Sequence, residues 1–102
     1  MTSDPEVLLL VSLAGGPKHG HAILLDIESF TGRRLGPGTL YGALSRLDAE
    51  GLIEPIEAEG RRRPYRLTAS GRTELHRRIT RLAETVRVGR RRLAPGGRLA
   101  RG

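Results

Sequence analysis

The sequence contains no cysteine and no tryptophan, only three aromatic residues (Phe30, Tyr41 and Tyr65), and a single lysine, Lys18. Without cysteine, neither a disulfide framework nor a thiolate metal site can form. With so few rings, a pocket that grips its ligand by aromatic stacking is not expected. No apolar run approaches the roughly 20 residues that cross a bilayer. The most apolar stretch, residues 7–13, is too short and has no basic region before it, so it is not read as a signal peptide. A soluble, cytoplasmic protein is expected. No nucleophile–base pair, paired carboxylates or phosphate-binding loop is recognisable, and Gly36-Pro37-Gly38 is too short to cradle phosphates. An enzyme is therefore the weakest reading, and no cofactor is implied. His19 and His21 invite a metal reading. Two residues apart on a helix they do not share a face, and no acid cluster joins them, so no metal site is expected.

At 102 residues the chain is one domain, with a formal net charge of +7 and a pI near 11.4. That basicity is a nucleic-acid signal only in part. Arg87, Arg90, Arg91, Arg92, Arg98 and Arg101 all follow the last acidic residue, Glu84. The body before them is close to neutral. Gly89, Pro95, Gly96 and Gly97 suggest a poorly ordered basic tail, which can add sequence-independent phosphate affinity or be a solvated end.

Residues 36–51 are the most informative stretch. Pro37 suits the first turn of a helix and Gly51 suits a left-handed cap after its end. Leu40, Leu44 and Leu47 form an apolar stripe at helical spacing. Gly42, Ser45, Arg46 and Ala49 fall roughly opposite, with Thr39 and Tyr41 on the flanks. That outer face is small and polar. It would let a backbone come close to a DNA major groove, about 12 Å wide. The alternative is an exposed helix that merely lacks charge.

Around this stretch the chain reads helix, helix, helix, hairpin, helix. Asp4, Pro5 and Glu6 start a first helix, apolar on more than one face and so sandwiched in the fold. It ends at residues 14–17. Residues 18–21 open the second helix, whose buried stripe is Ile23, Ile27 and Phe30 with Leu24 at its edge. Residues 52–57 alternate partly and read as a strand, with Pro55 implying an edge. Residues 64–68 return. The tip between them carries Gly60, Arg61, Arg62 and Arg63, placed to touch phosphates or enter a minor groove. The alternative is an ordinary charged tip, since Glu57 and Glu59 offset part of the charge. Thr68 caps a long last helix from about residue 69 to 91 or 92, in which Leu75, Ile79, Leu82 and Val86 make a narrow seam at 4-3-4 spacing. The seam fits a partner helix, helped by packing against the first helix. The alternative is a helix lying on its own domain. The fold class is thus mainly α with a small β-hairpin. It is a winged helix-turn-helix over residues 1–68, a C-terminal dimerisation helix over 69–92, and a disordered basic tail over 93–102.

Four pieces carry a family resemblance. They are residues 13–21 (Leu-Ala-Gly-Gly-Pro-Lys-His-Gly-His), residues 36–41 (Gly-Pro-Gly-Thr-Leu-Tyr), Leu44-Ser45-Arg46-Leu47 with Glu50-Gly51-Leu52-Ile53, and Arg63-Pro64-Tyr65-Arg66-Leu67-Thr68 with Gly71-Arg72. The chain resembles the short members of the PadR family of bacterial transcriptional regulators, those with one C-terminal helix. The resemblance implies a homodimer that binds an inverted repeat in double-stranded promoter DNA, usually as a repressor. It implies that Thr39 and Tyr41 hold phosphates. Ser45 and Arg46 would face bases or backbone, Gly42 would lie against the groove, and Arg61, Arg62 and Arg63 would form the wing tip. The chain departs from the family at His21, where Tyr is common, and at Gly42, where a larger residue is common. Two rival readings stand beside this one: a winged-helix docking module, and a basic DNA binder indifferent to sequence.

Overall fold

In the computed structural model, residues 4–57, 60 and 63–95 are described. The elements are α1 (Pro5–Ala14), α2 (Gly20–Thr31), α3 (Pro37–Ala49), β1 (Ile53–Pro55), β2 (Tyr65–Leu67) and α4 (Ala69–Leu93). The order is that of the winged helix-turn-helix with a C-terminal helix.

α1 is the centre of the domain. Asp4 caps it by accepting from the Glu6 amide at 3.0 Å, and Pro5 occupies the first turn. Val7, Leu8, Leu9, Leu10, Ser12 and Leu13 are all buried, because α2, α3, α4 and β2 surround the helix. A helix apolar all round is stable only in such a setting. The core adds Ile23 and Ile27 from α2, Leu40, Ala43, Leu44 and Leu47 from α3, Ile53 from β1, and Leu75 from α4. Each fully buried aliphatic chain contributes about 1.5–3 kcal/mol.

The second helix starts later than the sequence suggests. The Lys18 amide donates to the Tyr65 carbonyl at 3.1 Å, and the Tyr65 amide donates back to the Lys18 carbonyl at 2.9 Å. Lys18 is therefore held extended beside β2. His19 caps the helix in its place, its Nδ1 accepting from the Ala22 amide at 3.4 Å. The Lys18 side chain also closes the end of α1. Its Nζ donates to the Ser12 carbonyl at 2.6 Å and the Gly16 carbonyl at 3.3 Å, at the negative end of that helix. The buried stripe of α2 also ends earlier than its periodicity suggests. Ile23 and Ile27 are buried, but Phe30 is 47% exposed, because the domain's core stops short of the last turn.

α3 has the expected start and stop. Gly51 has φ +75°. Its amide donates to the Asp48 carbonyl at 3.0 Å, and that of Leu52 to the Leu47 carbonyl at 2.9 Å, which is a Schellman ending. The chain then enters β1, which pairs antiparallel with β2 in the register Ile53–Leu67, Glu54–Arg66 and Pro55–Tyr65. The strands are three residues each, shorter than the alternation implies, and β1 is the edge that Pro55 requires.

Thr68 closes the hairpin and opens α4. Its hydroxyl donates to the Gly51 carbonyl at 2.7 Å and accepts from the Gly71 amide at 2.9 Å. α4 runs unbroken through Gly89 to Leu93, so Arg87, Arg90, Arg91 and Arg92 are helical rather than part of a loose tail. Residues 96–102 lie outside the described ones. At 1.5 Å per residue the 25-residue helix is about 37 Å long.

Two expectations about the last helix are corrected by the packing. Leu75, read as the first position of a dimer seam, is 6% exposed and sits in the chain's own core. The apolar residues of α1, expected to help that seam, are consumed within the domain. What α4 leaves uncovered begins one turn later, with Ile79 at 44% exposure and Val86 at 50%; Leu82 between them is half-buried.

Candidate nucleic-acid interface

α3 turns one side to the core and the other outward. Leu40, Ala43, Leu44 and Leu47 are buried, while Thr39, Tyr41, Ser45 and Arg46 are exposed and Gly42 is half-buried among them. The face that the sequence singled out is therefore one continuous outward surface. It is short of bulk, and its N-terminal end carries unpaired helix amides with the positive end of the dipole.

Tyr41 is not a free ring. A Cβ placed on Gly20 would stand 2.7 Å from the Tyr41 hydroxyl oxygen and 3.1 Å from two ring carbons. The first turn of α2 is thus the seat on which Tyr41 rests while its outer side remains exposed, at 55%. The sequence presents Gly20 only as part of a helix start; its role depends on α2 and α3 meeting.

Arg46 is the one long cation on this face, and it is already engaged. Its Nε donates to Glu6 Oε2 at 3.0 Å. A Cβ on Gly42 would lie 3.5 Å from the other end of the guanidinium, Nη1, so the side chain lies back along α3 over that glycine. Glu6 Oε1 accepts from Arg78 Nη1 of α4 at 3.2 Å. Arg78 Nε in turn donates to Glu74 Oε2 at 2.8 Å. Alternating charges thus run from α4 through α1 to α3. The inner members are mostly covered, with Glu6 19% and Arg78 22% exposed, whereas Arg46 is 57% exposed. Neither Glu6 nor Arg78 is legible as a site residue, because the pairs are separated by 40 and 72 positions in sequence.

The hydrogen bond from Arg46, with that from Arg78, holds the Glu6 carboxyl below its ordinary value of 4.5, against an opposing effect of partial burial. A carboxyl that titrates lower when folded contributes its stability above pH 4.5 and loses it as the pH falls through the lower folded value. Thermal melts between about pH 7 and about pH 3 are therefore expected to show Glu6→Gln less stable than the parent by about 1–2 kcal/mol at neutral pH, the difference vanishing at the acid end. A constant difference across the range would mean that the carboxylate charge is not what the pairs depend on.

The wing is placed only in part. β1 packs beside α3, and Arg63 is exposed where the chain returns towards β2. Gly60 has φ +66°, a turn conformation that favours glycine. Arg61 and Arg62 lie outside the described residues. Among the described residues no three His, Cys, Asp or Glu side chains converge as a metal site would need, and no helix is long and apolar enough to cross a membrane.

A core helix, a two-helix turn presenting an outward small-residue face, a hairpin beside it and a long last helix together define a winged helix-turn-helix domain. The Transcriptional regulator PadR-like family matches residues 8–77. The chain belongs to that family, whose members are transcriptional regulators and not enzymes. It is 44% identical over 95 residues to Transcriptional regulator Rv3488 of Mycobacterium tuberculosis, covering 87% of this chain and 88% of that one. It is 54% identical over 76 residues to an uncharacterized 37.1 kDa transposon protein of Streptomyces fradiae, covering 74% of this chain but only 22% of that protein. Among solved structures, a transcriptional regulator from Clostridium thermocellum superposes with a TM-score of 0.79 at 25% identity, over 91% of this chain and 93% of that one.

Proposed function

We propose that the chain is a sequence-specific DNA-binding regulator that acts as a homodimer, binds an inverted repeat in promoter DNA and represses by occluding it. The observation that carries this reading is the outward face of α3, with Thr39, Tyr41, Ser45 and Arg46 exposed on a helix whose other side is locked into the core. Thr39 and Tyr41 hold phosphates, Gly42 admits the groove, Ser45 and Arg46 face base edges, and Arg61, Arg62 and Arg63 follow the backbone from the wing. Ile79, Leu82 and Val86 form the dimer seam. Two α3 helices about 34 Å apart then meet successive major-groove faces.

The test is fluorescence-anisotropy binding to duplex DNA from the gene's own upstream region, beside a scrambled duplex, each at two salt concentrations. A preference of ~10³ or more for the upstream duplex supports a regulator that controls itself. Equal, salt-sensitive binding favours a sequence-indifferent DNA binder, and no binding at low salt favours a docking module. On a preferred duplex, Arg46→Ala is expected to cost about 1–3 kcal/mol and to relax specificity at one base pair. An equal loss on every sequence would make Arg46 a phosphate contact instead.

A further inference from the structure

Arginine offers five N–H donors in a planar fork, and which edge points outward decides what it can recognise. In this chain the inner edge of Arg46 is taken. Nε is on Glu6 Oε2 at 3.0 Å, and Nη1 lies above Gly42, where no side chain intervenes. The side chain as a whole is 57% exposed, so donors other than Nε remain open to a ligand. Glu6 cannot swing freely, because Arg78 Nη1 holds its second oxygen at 3.2 Å and the Glu6 amide is fixed on Asp4. Arg78 is itself fixed by Glu74 at 2.8 Å. The carboxylate also cancels much of the charge that would draw Arg46 to the nearest phosphate.

We propose that Glu6 is a specificity-determining positioning residue: it holds the Arg46 guanidinium by its inner edge so that the terminal edge addresses a base rather than a phosphate. This rests on the reading of α3 as the DNA-reading helix. Glu6 acts through Arg46 and need not touch DNA. It also ties the reading helix to α4 through Arg78, so the side chain that reads sequence is braced by the helix that carries the exposed seam.

The test begins with selection of duplexes from a random pool by the full-length parent protein. Anisotropy on the selected duplex and on a scrambled one, at several salt concentrations, is then measured for the parent, Glu6→Gln, Arg46→Ala and the double variant. Glu6→Gln is expected to cut the preference for the selected duplex by about tenfold and to steepen the salt slope on the scrambled duplex by about 1, as the freed Arg46 meets a phosphate. In the Arg46→Ala background the same substitution is expected to change neither quantity. Glu6→Asp keeps the charge but withdraws the carboxylate by one methylene, so it too should lose preference; it serves if Glu6→Gln folds poorly. Unchanged preference in Glu6→Gln and Glu6→Asp overturns the proposal. So does a change of equal size with and without Arg46, which would mean that only the charge at Glu6 matters. A parent protein that enriches no sequence overturns the DNA-reading role of α3, and this proposal with it.

Discussion

Gly71→Ala is expected to destabilise the domain by about 3 kcal/mol or more, lowering the melting temperature by about 12–24 °C. A Cβ at this position would lie 1.9 Å from the Leu52 carbonyl oxygen and 2.9 Å from its carbon. Both atoms belong to backbone that cannot turn away. The same oxygen accepts from the Thr68 amide at 3.1 Å, so moving it breaks the junction of hairpin and helix. Moving α4 instead withdraws Leu75 from the core. Helix propensity works the other way, since alanine is preferred to glycine by about 1 kcal/mol in a helix interior. Gly89→Ala provides the control within the same helix, because nothing lies within 4 Å of a Cβ there. It should be neutral or slightly stabilising. Thermal denaturation followed by circular dichroism distinguishes the two, and equal melting temperatures for both variants would refute the close approach at Gly71.

Ile79→Asp combined with Val86→Asp is expected to give a folded monomer with duplex affinity reduced by about 10²–10⁴. Both side chains are about half exposed in the single chain, so the domain loses little by their replacement. In a dimer they and Leu82 would be covered, at about 1.5–3 kcal/mol for each side chain fully buried. Two copies of such a seam are comparable with the roughly 4–15 kcal/mol that association costs, so one charged pair at each end is enough to reverse it. The affinity loss follows from geometry. A dimer's second reading helix binds at a high effective concentration, and a monomer has no such advantage. Sedimentation velocity and anisotropy on the preferred duplex measure the two effects. A double variant that remains dimeric would place the interface elsewhere, and the exposed Leu25 and Phe30 of α2 would be the next residues to change.

Much of the frame is legible in local chemistry. Asp4, Pro37, Gly51 and Thr68 each announce a helix end through a cap or a turn that few other residues supply, and each does so in the structure. Leu40, Leu44 and Leu47 announce which side of α3 is buried, and so which side is left for a partner. These signals are short-range, because a cap or a stripe is settled within a few residues.

Periodicity misleads where the neighbouring element decides. Phe30 continues the stripe of Ile23 and Ile27, yet the core ends before it. Leu75 continues the seam of Ile79 and Val86, yet it is buried in the chain's own core. Lys18 reads as part of a helix start, yet two backbone hydrogen bonds to Tyr65 make it an extended neighbour of β2. Glu6 reads as an ordinary acid in a first turn, but the fold sets it between Arg46 and Arg78, from two other helices.

The elements, their order, the ends marked by Asp4, Pro37, Gly51 and Thr68, and the outward side of α3 are legible in the chain alone, because those depend on residues close together in it. Only the tertiary structure decided which apolar residues the core consumes, where Tyr41 rests and what holds Arg46. Those outcomes depend on groups brought together from distant positions, and their burial and charge pairing have no counterpart in local spacing.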